Sequence, residues 1–62
     1  MNLEQQIKVA EKRIYDAECR RAEFAKKYNE TGILLYERLA ESETKTISEI
    51  RDAIFEASLY MN

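Results

Sequence analysis

Apolar residues recur at alternating steps of four and three along both halves of this chain, and the two runs are separated by its only glycine in a sequence that has no proline. The first run is Leu3, Ile7, Ala10, Ile14, Ala17, Phe24 and Tyr28, interrupted only by Arg21. The second is Tyr36, Ala40, Ile47, Ile50, Ile54, Ala57 and Met61, interrupted only by Glu43. A spacing of this kind puts one stripe on one face of an α-helix and asks for a facing stripe to cover it. The two stripes are out of phase across the middle. Tyr28 and Tyr36 are eight residues apart, so continuing the first heptad would bring Leu35, Arg38, Ser42 and Lys45 onto the seam. A single rod would lose its apolar stripe halfway. Folding back at Gly32 keeps both stripes and pairs them layer by layer: Tyr28 with Tyr36, Phe24 with Ala40, Arg21 with Glu43, Ala17 with Ile47, Ile14 with Ile50, Ala10 with Ile54, Ile7 with Ala57 and Leu3 with Met61. Large residues then face small ones in several layers, which lets two helices interdigitate at constant separation.

The sequence therefore predicts an all-α fold, an antiparallel helical hairpin forming one domain over residues 1–62. The first helix is expected over residues 2–28, capped by Asn2, with Lys26 and Lys27 in its last turn, where cations are favoured. The turn is expected at 29–32 and the second helix over 33–60. Residues 42–46 are the weakest stretch of that second helix, because Ser42, Thr44 and Thr46 are poor helix formers and Thr46 followed by Glu49 matches a capping box. The reading favours a continuous helix, with any kink or break falling there.

Sixty-two residues bury too small a share of their surface to be comfortably stable without a staple. One cysteine cannot form an intrachain disulfide, and without histidine neither a Cys/His zinc set nor a Glu-x-x-His di-metal site can be assembled. Oligomerisation is the remaining device. Leu39, Thr46, Ala53 and Tyr60 form a second row of small and apolar residues beside the core stripe of the second helix, extended toward the turn by Leu35. This row is predicted to be a dimer interface in a homodimeric four-helix bundle, with the relative direction of the two copies left open. Such an architecture resembles, in fold alone, the hairpin dimers of the plasmid copy-control Rop family; no motif is shared and no functional residue carries over.

Charge divides between the halves. Lys8, Lys12, Arg13, Arg20, Arg21, Lys26 and Lys27 outnumber Glu4, Glu11, Asp16, Glu18 and Glu23 in the first half, a balance of +2. Arg38, Lys45 and Arg51 are outnumbered by Glu30, Glu37, Glu41, Glu43, Glu49, Asp52 and Glu56 in the second, a balance of −4. Opposite signs favour antiparallel docking of one half on the other, within a chain or between chains.

No catalytic constellation is visible. Cys19 has no histidine to act as its base and no glycine-rich turn to form an oxyanion hole, so it reads as a surface thiol and the chain as a non-enzyme without cofactor or metal. The function expected is a small protein-binding module, a regulator or inhibitor acting on a larger protein. Phe55 and Leu59, one turn apart on the outer face of the second helix, are the candidate docking residues, with Tyr15 and then Val9 as lesser candidates on the first. The alternative is a nucleic-acid-binding regulator using Arg13, Arg20 and Lys27, which recur every seven residues along one edge. Against it, Asp16 and Glu23 each precede a member of that stripe by four, the spacing that neutralises a basic side chain on its own helix. A further alternative is an assembly or scaffold element. Neither a secretory signal nor a membrane span is recognisable, and a lone thiol suits a reducing compartment, so a cytoplasmic location is expected.

Overall fold

The computed structural model describes residues 2–60, which form two α-helices, α1 (Leu3–Thr31) and α2 (Leu34–Ser58), packed side by side as a hairpin. The molecule is a slab 48 × 15 × 12 Å. Met61 lies outside the described residues, and with it the Leu3–Met61 layer.

Helix α1 starts as its sequence dictates. The Asn2 side chain accepts a hydrogen bond from the Gln5 backbone N–H at 2.8 Å, and the Gln5 side chain accepts one from the Asn2 N–H at 3.4 Å, a reciprocal cap for two otherwise unpaired donors. The helix ends later than expected, at Thr31 instead of Tyr28. Asn29, Glu30 and Thr31 tolerate turns but do not require one, and the Thr31 hydroxyl donates to the Lys27 carbonyl at 2.7 Å, which holds the last turn helical. Lys26 and Lys27 consequently lie one turn before the end, and the last turn holds no basic residue. Gly32 stops the helix with φ 69°, the left-handed conformation that other residues resist, and its N–H donates to the Tyr28 carbonyl at 2.7 Å. Only Gly32 and Ile33 separate the helices, and Thr31 also accepts from the Ile33 N–H at 3.2 Å. One threonine side chain thus stitches both sides of the turn.

Helix α2 runs without interruption through residues 42–46. The Thr44 hydroxyl donates back to the Ala40 carbonyl at 3.2 Å, so the threonine is accommodated inside the helix and Thr46 caps nothing. Past Ser58 the chain makes two tighter turns, with the Leu59 and Tyr60 N–H groups donating to the Glu56 and Ala57 carbonyls, so the helix is shorter than the expected 33–60.

Every described position of the two stripes turns inward: those of α1 from Leu3 to Tyr28 and those of α2 from Tyr36 to Ala57 are all buried or half-buried. Ala17 and Ile47, expected to face one another, are the two fully buried residues among those described, at 0% and 2% exposure. Two details of the register differ from expectation. Glu43 was expected opposite Arg21, but its carboxylate receives a two-pronged hydrogen bond from Arg20, at 3.1 and 3.2 Å, while Arg21 reaches the Thr44 hydroxyl at 3.4 Å. Arg20 sits one position off the seam and approaches the carboxylate from the wetter flank, so the charged fork need not be desolvated in the core. Tyr36, expected opposite Tyr28, stacks on Phe24 with ring centroids 6.4 Å apart. The Tyr28 hydroxyl bonds the Glu37 carboxylate instead, a contact that holds its phenol above the ordinary value.

Two helices cannot enclose a core. The chain exposes 5050 Å² for 7.3 kDa, roughly 900 Å² more than a compact protein of that mass would.

Candidate functional site

With the seam closed, the residues flanking it define two broad faces. In an antiparallel pair, the positions just after Ala10, Ala17 and Ile50 share one face, and those just before Ile14, Arg21, Ile47 and Ile54 share the other. One face carries Glu11 and Glu18 of α1 against Arg51 of α2, and the Arg51 guanidinium bonds the Glu18 carboxylate at 2.9 Å. A shallow groove here is lined by Glu11, Ile14, Tyr15, Glu18, Arg51 and Ile54. Tyr15 forms its outer wall and is 65% exposed. Its phenol is held above its ordinary value chiefly by a hydrogen bond with Cys19, with the nearby Asp16 carboxylate acting in the same direction. Phe55 in the last turn of α2 and Leu59 just past its end are exposed at 68% and 61%, with Phe55 next in the chain to the groove residue Ile54. The three residues expected to dock a partner are therefore all open to solvent.

The opposite face joins two features that the sequence left separate. Arg13, Asp16 and Arg20 of α1 line one depression together with Thr46 and Ile50 of α2. Further from the turn, Leu3, Gln6, Ile7 and Ala10 meet Ala53, Ile54 and Ala57 around an apolar groove. The predicted dimer row and the predicted basic stripe thus border the same surface. Within the row, Leu39 and Thr46 are half-buried by the hairpin itself, while Leu35, Ala53 and Tyr60 are exposed. Within the stripe, Arg20 is engaged by Glu43, whose hydrogen bond raises the guanidinium above its ordinary value. The Lys27 ammonium lies over the Tyr36 ring, 5.7 Å from its centroid. Arg13 is exposed.

The cross-helix pairs Arg20–Glu43 and Arg51–Glu18 escaped the sequence reading, which sought charge partners on the seam. The signal was one position away: in the mirror register Glu18 and Arg51 fall on the same flank, as do Arg20 and Thr46. Among the described residues no group of three or more His, Cys, Asp or Glu side chains converges as a metal site would require, and no helix is long and apolar enough to cross a membrane.

Fold and surfaces together define a two-helix antiparallel hairpin with one acid-lined face carrying aromatic residues and one face that is small, apolar and edged with arginine. No protein-family model matches the chain, and neither a curated protein nor a solved structure does.

Proposed function

We propose that the hairpin is a non-enzymatic protein-binding module, a small regulator or inhibitor that docks on a larger protein and works as a homodimer. The observation that carries the docking role is the outward ridge of Phe55 and Leu59, beside the groove walled by Tyr15 and Ile54. Two large apolar side chains at one-turn spacing, away from the hairpin's own seam, are the pattern by which helices anchor in a partner's pocket. Dimerisation is supported by the area left open. The excess of roughly 900 Å² is of the size that a standard protein interface covers, about 800 Å² per partner.

The arginine edge lends less support to the nucleic-acid alternative. Arg20 is tied to Glu43 and Lys27 to the Tyr36 ring, leaving Arg13 as the freely exposed cation of the three. A phosphate-tracking stripe needs its charges available to release counterions. Capture experiments with the wild type and with Phe55→Asp/Leu59→Asp test the docking role, with circular dichroism to check that both remain helical. A protein retained by the wild type and lost by the double variant is the expected result; equal retention would remove the ridge from consideration.

A further inference from the structure

We infer that the two copies of the hairpin stack with their turns at the same end, so that α1 of each lies antiparallel along α2 of the other; this rests on the homodimer reading above. The occupied surface is the face that carries Thr46 and Ala53 on α2 and Arg13 and Arg20 on α1. Two slabs stacked through one shared face can be related by a two-fold axis in only two ways. An axis along the helices sets α1 over the partner's α2 and keeps the turns together. An axis across the helices sets α1 over the partner's α1 and sends the turns to opposite ends.

Charge separates the two. Helix α1 carries seven Lys or Arg against six acids, a balance of +1, and α2 three against six, a balance of −3. The first arrangement lays the positive helix on the negative one twice. It also brings Arg13 within about one turn of Glu49 of the second copy, with Asp16 of the same depression beside it, because an axis along the helices preserves the level of every residue. The second arrangement lays positive on positive and negative on negative. Ala17 is the midpoint of α1 (Leu3–Thr31), and Arg13 and Arg20 lie on either side of it on the same flank. Reversing the helix about that midpoint would therefore place Arg13 of one copy beside Arg20 of the other, a cation that Glu43 already engages, and symmetry would repeat the juxtaposition. Like charges at an interface exclude a partner more strongly than opposite charges recruit one. Small side chains at Ala53 and Thr46 allow the close approach that makes this discrimination felt.

The test uses the single native thiol to advantage. In a Cys19→Ser/Glu30→Cys variant a spin label is carried at an exposed site next to the turn, and sedimentation equilibrium gives the association state of the same sample. With turns at the same end, the two labels lie about 10–25 Å apart, set by the helix spacing and the label tethers. With turns at opposite ends, helix rise alone separates them by about 40 Å. The short distance in a dimer is the expected outcome. The long distance in a dimer overturns the arrangement and leaves the homodimer standing, whereas a monomer at all concentrations overturns both.

Discussion

Ile47 is the side chain on which the hairpin most depends, because it is the one large residue that the opposing helix covers almost fully, and it is covered by the smallest partner available. Ala17, its partner in the mirror register and the other fully buried residue among those described, has the small side chain that permits close approach there. Truncating Ile47 leaves a cavity where nothing can collapse except two helices moving together. Ile47→Ala is therefore expected to destabilise the hairpin by about 2–5 kcal/mol, enough to leave a chain of this size largely unfolded. Thermal denaturation followed by circular dichroism measures it; a shift no larger than that of a substitution at exposed Ser48 would show that the seam is not the stabilising contact. Burial at this scale was legible in the sequence because helical phase determines it. The partner chosen by Glu43 was not. Arg20 and Arg21 are adjacent in the chain, both reach α2, and their roles divide on how much water each guanidinium retains, a property of side-chain path that spacing does not encode.

At the scale of elements the turn carries the most information for its length. Gly32 holds φ 69°, and a Cβ built there would meet no atom within 4 Å. Any penalty at this position is thus a backbone penalty. Gly32→Ala is expected to cost about 1 kcal/mol, Gly32→Asn less, since asparagine enters the left-handed region more readily, and Gly32→Val more, since it is β-branched. Melting temperatures in the order Gly, Asn, Ala, Val check this; Ala and Val behaving like Gly would mean that the turn had moved to another residue. The position of the turn was legible because glycine is unique in the chain. Its width was not: Asn29, Glu30 and Thr31 carry turn-forming side chains, yet the Thr31 hydroxyl satisfies a carbonyl of α1 and an amide of the turn at once, so the helix gains three residues. The same chemistry explains the uninterrupted α2. Threonines inside a helix are poor formers when isolated, but Thr44 bonds its own preceding turn while Ile47 anchors the segment to α1.

Over the whole molecule, the geometry of a two-layer object decides which surfaces need a partner. A slab 12 Å thick leaves both faces open, and the two are not equivalent. One is bordered by the Glu18–Arg51 ion pair and presents Phe55, Leu59 and Tyr15 at its edge; the other has Ala10, Ala53 and Ala57 on the floor of an apolar groove. The second is the face that a copy of the chain can cover closely, and Ala53 is its exposed centre on α2. Its small side chain makes it a sharp probe. On a free hairpin, Ala53→Glu adds a carboxylate to a solvated helix face and is expected to change stability by no more than about 0.5 kcal/mol. In the dimer the longer, charged side chain would be forced between two copies that approach closely only because Ala53 is small, so the subunits should separate. Sedimentation equilibrium is expected to show Ala53→Glu as a monomer under conditions where the wild type is a dimer. The concentration dependence of the wild-type melting temperature, which association imposes by mass action, should vanish in the variant. Ser48→Glu introduces the same charge on the side of α2 away from Ala53 and should leave the association unchanged. If the two variants weaken association equally, added negative charge is acting at long range and the Ala53 groove is not the contact surface; if neither does, the copies meet elsewhere, and the exposed ridge of Phe55 and Leu59 becomes the surface that joins them.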